Sequence, residues 1–120
     1  KKKEIYETYK DAFKDIPEIE MKPVPADTKP NYWLSTMLLK EESKVTPLNI
    51  MEALDKENIE SRPIWKPMHI QPIFEKFDFI KVEEKPVSED IFARGVCLPS
   101  DTKMTKEEQQ EVIRVIKELF

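Results

Sequence analysis

Ten prolines and a single glycine partition this chain. Each proline fixes its own φ, lacks an N–H donor and biases the residue before it away from helix, so regular elements must fit between prolines. Pro17, Pro23, Pro25 and Pro30 crowd one segment too closely for a helix interior. That segment is predicted to be an extended connector with a short strand at Glu18 to Met21. Ahead of it, Ile5, Tyr9, Ala12, Phe13 and Ile16 recur at helical spacing among Lys and Glu, which predicts an amphipathic helix over 3–16 that Pro17 ends. The sole glycine, Gly95, excludes any glycine-rich phosphate loop.

Downstream, helix and strand signals alternate. Tyr32 to Leu39 is aromatic and apolar between Pro30 and Lys40-Glu41-Glu42, which predicts a largely buried strand. Thr46-Pro47 is a helix start, with a capping hydroxyl and a proline at the first helical position; Ile50, Met51 and Leu54 form its apolar face. Asn58 suits a left-handed turn at the helix end, leading to a second strand over 59–65. The run from Met68 to Phe79 reads as a turn or short helical piece that buries Phe74, Phe77 or Phe79. Ser88 is placed to cap a further helix, with Val87 and Phe92 at the spacing of a hydrophobic staple and Gly95 closing it. Val96 to Pro99 is the third strand. Thr105 and Glu108 form a capping box for a last helix striped with Val112, Ile113, Val115, Ile116 and Leu119. The expected fold is α+β, a two-layer domain with a sheet of about three strands and helices on one face, the first helix standing somewhat apart.

Several chemistries are excluded by counts alone. At 120 residues the chain is one compact domain or one piece of a larger protein. With 39% hydrophobic and 37% charged residues and a net charge of −4, it carries no electrostatic footprint for nucleic acid. One cysteine, Cys97, and one histidine, His69, cannot assemble a disulfide framework or the usual zinc site, and Cys97 reads as a small buried hydrophobe. No apolar run approaches the roughly 18 residues that span a bilayer, and no secretory signal follows the first lysines; the expected location is cytoplasmic, with no membrane partner. The pairs Glu107-Glu108 and Glu83-Glu84 lie in solvated, charge-rich stretches, unsuited to a catalytic dyad. Ser35, Ser61, Ser88 and Ser100 lack a nucleophile motif. The first residue is Lys1 rather than Met, and a piece of a longer chain is expected.

Chemistry concentrates between Ser61 and Gln71, Ser-Arg-Pro-Ile-Trp-Lys-Pro-Met-His-Ile-Gln. An extended run here places Arg62, Ile64 and Lys66 on one side and Pro63 and Trp65 on the other. Arg62, Lys66 and His69, joined by Trp65, suit a carboxylate, a phosphate or a sugar edge. The same residues also read as structure: Trp65 and Ile70 as core, His69 as a hydrogen-bonded support. Both readings stay open at this level, and neither specifies a reaction.

The motifs Asn31-Tyr32-Trp33, Asn58 to Pro72, Ser88 to Ser100 and Met104-Thr105-Lys106-Glu107-Glu108, in this order and spacing, resemble the C-terminal third of the DegT/StrS family of sugar aminotransferases. The resemblance covers nearly the whole chain and is most specific through Arg62 to Gln71. It implies the small C-terminal domain of an aspartate-aminotransferase-like fold. The parent would be a pyridoxal phosphate enzyme moving an amino group from glutamate to a keto sugar, typically nucleotide-linked, in glycan or polysaccharide synthesis. It further implies that residues 1–17 are a connector helix from a missing large N-terminal domain and 18–120 the small domain. The Schiff-base lysine and most cofactor ligands would lie in the large domain, so no catalytic residue and no bound pyridoxal phosphate are expected in this fragment. Arg62 to Gln71 would lie at the active-site mouth, with His69 near the sugar or its phosphate and Arg62, Trp65 and Lys66 as substrate contacts. The parent is expected to be a homodimer. The other class left open is a free-standing α+β module that binds a protein or small anionic ligand.

Overall fold

A computed structural model describes residues 1–82 and 84–120; Glu83, of the Glu83-Glu84 pair, lies outside the described residues. Helix α1 (Lys2–Phe13) is followed by strand β1 (Ile19–Met21), strand β2 (Ser35–Leu39), helix α2 (Pro47–Lys56) and the two-residue strand β3 (Arg62–Pro63). Two 3-10 turns, Met68–Ile70 and Pro72–Phe74, precede helix α3 (Val87–Arg94), strand β4 (Gly95–Leu98) and helix α4 (Lys106–Lys117). The strands form one antiparallel sheet in the order β1-β2-β4-β3. This is an α+β domain, with one strand more than the expected three because 19–21 pairs along the outer edge of β2.

Local chemistry sets the helix starts. Thr105 and Glu108 close the predicted capping box: the Glu108 N–H donates to Thr105 Oγ1 at 3.1 Å, and the Thr105 N–H donates to Glu108 Oε2 at 2.7 Å. Thr46 does the same with Asn49, whose side chain takes the place of the usual Glu or Gln. Asn58 is left-handed at φ 57°, as its position after α2 predicts. At α3 the expectation fails. The helix begins at Val87 behind Pro86, whose carbonyl accepts from the Glu89 and Asp90 N–H groups, so Ser88 sits exposed inside the first turn and caps nothing. Val87 is exposed as well, so the staple does not form.

The core joins Met37, Leu39, Val96 and Leu98 of the sheet to Ile50 and Leu54 of α2 and to Val112, Ile113 and Ile116 of α4. Helix α1 does not stand apart. Tyr9 and Phe13 are fully buried in that same core, their rings stacked, and the Tyr9 hydroxyl donates to the Pro99 carbonyl at 2.9 Å. Gln109, buried on α4, donates to the Ile5 carbonyl at 2.9 Å. The apolar stripe of α1 packs against α4 and the sheet.

Two strand expectations contract. The segment 59–65 pairs only through Arg62 and Pro63, because it runs along the sheet edge and Pro63 has no N–H for the ladder. The strand expected from Tyr32 starts at Ser35, since Tyr32 is left-handed at φ 53°. The aromatic run after Pro72 is not core: Phe77 and Phe79 are exposed and Phe74 is half-buried.

Gly95 is needed for space rather than for a special φ, which is an ordinary −101°. A Cβ there would meet Ile64 Cγ1 at 2.2 Å and the Ile91 carbonyl oxygen at 2.6 Å. One of these is backbone, so the overlap cannot be relieved by a rotamer change alone. Gly95→Ala is expected to destabilise the domain by about 1–3 kcal/mol, read as a lowered urea midpoint at constant m-value; an unchanged midpoint would mean that α3 shifts freely against β3.

Candidate functional site

The Ser61–Gln71 segment leaves the sheet edge and folds back over itself. Arg62 pairs in register with Cys97, and its guanidinium makes an exposed ion pair with Glu60. Pro67 opens the first 3-10 turn, and Gln71 Nε2 donates to the Lys66 carbonyl at 3.0 Å, closing the loop. The Lys66 side chain is exposed. His69 is held on two sides: Nε2 lies 2.8 Å from Glu89 Oε1 on α3, and its ring stacks on Phe79 with centroids 3.6 Å apart. Its side chain is only 15% exposed. His69 is thus held by Glu89 and Phe79, partners its sequence neighbours did not reveal.

Trp65 turns the other way, toward Trp33, with ring centroids 5.7 Å apart. Among the described residues no hydrogen bond or ion pair joins Arg62, Trp65, Lys66 and His69 to one another. Trp65 belongs instead to an open groove of about 560 Å³ lined by Tyr6, by residues of the 22–34 stretch and by Thr36. Up to Pro30 this stretch reads in sequence as an extended connector, and from Tyr32 as the start of a buried strand. The Tyr6 hydroxyl donates to the Lys22 carbonyl at 2.6 Å, and its ring lies 5.3 Å from that of Tyr32; burial pushes the Tyr6 phenol up from its ordinary value. The left-handed Tyr32 is steadied by its neighbours, as Asn31 Oδ1 accepts from the Trp33 N–H at 3.1 Å and Lys2 Nζ donates to the Trp33 carbonyl at 2.9 Å. Lys2 also donates to the Ser100 carbonyl, and Ser100 Oγ accepts from the Ser35 N–H, so α1 and both central strands fix the groove wall. The one sequence signal was the clustering of Asn31, Tyr32 and Trp33 behind Pro30.

A second group sets the start of α3 and hence Glu89. Asp90 receives Arg94 Nε at 3.0 Å and Lys85 Nζ at 2.7 Å, Lys85 also reaches Glu41 at 2.7 Å, and Arg94 donates to the Leu39 carbonyl at the end of β2. The Arg94 guanidinium first, and the Lys85 ammonium next, hold the Asp90 carboxyl well below the usual carboxylate range. Cys97 is buried in β4, and burial pushes its thiol up, which makes it an unreactive core residue.

A small antiparallel sheet with its helices packed into one core is the architecture of the smaller domain of aspartate-aminotransferase-like enzymes. The chain belongs to the DegT/DnrJ/EryC1/StrS aminotransferase family, whose sequence pattern matches residues 1–117. Over 121 residues it is 40% identical to EpsN of Bacillus subtilis (strain 168), named as a pyridoxal phosphate-dependent aminotransferase, covering 100% of this chain and 31% of that protein. It is 30% identical to the GDP-perosamine synthase of Vibrio cholerae, covering 99% of this chain and 32% of that one. In fold it is similar to Helicobacter pylori PseC, an aminotransferase involved in the biosynthesis of pseudoaminic acid, with a TM-score of 0.79, 22% identity, and 99% of this chain against 32% of that one. The chain thus spans about a third of the length of these relatives.

Asp90→Asn is expected to cost about 1 kcal/mol at neutral pH, since it loses charge-assisted bonds at a partly exposed site. The folded-state value lies below the ordinary 3.8, so the stabilisation is present above pH 3.8 and lost as pH falls toward the folded value. Urea unfolding of wild type and variant should differ at neutral pH and converge progressively below pH 3.8. A gap that persists undiminished in acid would assign the effect to packing.

Proposed function

We propose that the chain is the C-terminal small domain of a pyridoxal phosphate-dependent aminotransferase that moves an amino group from glutamate to a nucleotide-linked keto sugar in glycan or polysaccharide synthesis. The observation that carries this reading is the family match over residues 1–117 in a chain one third the length of its relatives. The name of the Vibrio cholerae relative, GDP-perosamine synthase, supports a nucleotide-linked sugar. The same match weighs against a free-standing binding module, which would have no reason to keep an aminotransferase pattern along its length. In this reading α1 leads in from a large N-terminal domain, the parent is a homodimer, and it works in the cytoplasm. Among the described residues no helix is long and apolar enough to cross a membrane.

The residues present do not fit a cofactor anchor. A lysine that forms a Schiff base is desolvated, whereas every lysine here is exposed except Lys2, whose ammonium is tied to two backbone carbonyls. Bound elsewhere in the parent, pyridoxal phosphate would supply an electron sink for carbanion chemistry. What this domain contributes is orientation and charge. Arg62 and Lys66 present exposed cations at the sheet edge, Trp65 an apolar wall, and His69 an imidazole whose position Glu89 and Phe79 set; these four are the proposed substrate contacts.

Reconstituted with pyridoxal phosphate, the parent protein should show a visible cofactor absorption band that is lost on adding glutamate. Absence of the band, or no response to glutamate, would overturn the reading. In the same protein His69→Ala should lower kcat/KM for the keto sugar by about tenfold with cofactor occupancy unchanged; an unaltered kcat/KM would remove His69 from the substrate contacts.

A further inference from the structure

We propose that Glu89 is a positioning residue that keeps the His69 proton on Nε2, so that His69 offers the keto sugar the lone pair of Nδ1 and takes there a sugar hydroxyl rather than a phosphate. The proposal rests on the aminotransferase reading and deepens the contact that reading gives to His69.

Valence decides the tautomer. A neutral imidazole has one N–H and one lone pair, and an ionised carboxylate only accepts. Nε2, 2.8 Å from Glu89 Oε1, is therefore the nitrogen that carries hydrogen, and Nδ1 keeps the lone pair. A flip of the ring would bring Cε1 to the carboxylate in place of Nε2 and lose the bond. Among the described residues Nδ1 has no hydrogen-bond partner, and the buried side-chain polar atoms without one are Ser35 Oγ and Ser61 Oγ, so Nδ1 meets solvent at the ring edge.

The imidazole is fixed before any ligand arrives. Phe79 lies parallel to it, at an interplanar angle of 5°, and covers one face. The backbone on either side is turned by the Ile70 N–H donating to the Pro67 carbonyl at 3.3 Å and the Gln71 N–H to the Met68 carbonyl at 3.0 Å. A group held on its face, its Nε2 side and its backbone has little orientation left to lose on binding.

Charge then selects between the two groups a nucleotide-linked sugar could present. Among the described residues His69 is the only ion-pair partner of Glu89, because the cations flanking it in sequence, Lys85 and Arg94, are engaged by Glu41 and Asp90. A phosphate at Nδ1 would meet a lone pair and, across the ring, an uncompensated carboxylate. A sugar hydroxyl donates its hydrogen to the lone pair and adds no charge.

The test is nitrogen NMR of the parent protein with isotope-labelled histidine and bound pyridoxal phosphate, the His69 signals assigned by their loss in His69→Ala, and the glutamate response of the cofactor band recorded on the same preparations. At about pH 8, where imidazole is ordinarily neutral, Nε2 should carry hydrogen and Nδ1 the lone pair. Glu89→Gln, whose amide can donate as well as accept, should raise the Nδ1-protonated form about tenfold. Phe79→Leu, which removes the stacked ring and keeps the carboxylate, should leave the tautomer unchanged. GDP-mannose, a nucleotide-linked sugar with free hydroxyls chosen because the Vibrio cholerae relative is named for a GDP-linked one, should shift the Nδ1 resonance toward that of a hydrogen-bonded lone pair, and inorganic phosphate should not. Hydrogen on Nδ1 or on both nitrogens of the wild-type ring, a tautomer indifferent to Glu89→Gln or altered by Phe79→Leu, no shift with GDP-mannose, or an equal shift with phosphate would overturn the proposal. The wild-type spectra and Phe79→Leu decide the matter where Glu89→Gln fails to fold. Any of these contrary results with a normal glutamate response would leave the aminotransferase reading standing. The expected tautomer without a glutamate response would do the reverse.

Discussion

The antiparallel pairing of Ser35–Leu39 with Gly95–Leu98 brings the two halves of the chain together, and the remaining elements attach to it. β1 adds beside β2 and β3 beside β4, while α1, α2 and α4 meet over Met37, Leu39, Val96 and Leu98. The pairing depends on Gly95. Helix α3 runs into β4 with no linker, so the residue at the junction lies within reach of Ile64, Leu38 and the α3 backbone at once. Only a residue without a Cβ fits, which accounts for the position of the single glycine. Arg94, next to it, reinforces the same junction by bonding both Asp90 and the last carbonyl of β2.

From that frame two surfaces follow, facing different ways. The β3 edge ends at Pro63, and the chain beyond it sends Trp65 toward the 22–34 stretch and His69 toward α3. The Lys85–Asp90–Arg94 group fixes the first turn of α3, which places Glu89, which in turn orients His69. On the other side, Lys2 and Ser100 tie α1 to the strand ends and hold Tyr32 and Trp33 in place. Positioning comes from charged and polar groups in both cases, mostly side chain to side chain at α3 and side chain to backbone at α1.

Much of the frame was legible because it rests on local rules. The Thr46 and Thr105 starts, the left-handed Asn58, the ending of α1 before Pro17 and the stripe of α4 depend on residues within one or two turns. The errors fell where a distant partner decides. The α1 stripe pointed to burial yet not to what buries it, and α4 supplies that surface from the far end of the chain. Ser88 had the right spacing for a cap, but Pro86 starts the helix two residues early. The phenylalanines after Pro72 looked like core by composition, while the proline-rich stretch looked like a tether and became a groove wall.

By itself the sequence determined the starts of α2 and α4, the α+β class, the buried stripes of α1, α2 and α4 and, through the order and spacing of its motifs, the family. These are properties of short-range chemistry and of patterns that survive without coordinates. Tertiary structure alone decided that α1 completes the core, that Trp65 faces Trp33 rather than His69, and that Glu89 and Phe79 hold the imidazole. Those contacts join residues far apart in the chain. Their choice depends on how the β2–β4 pairing and the close approach at Gly95 set one layer against another, which no local rule encodes.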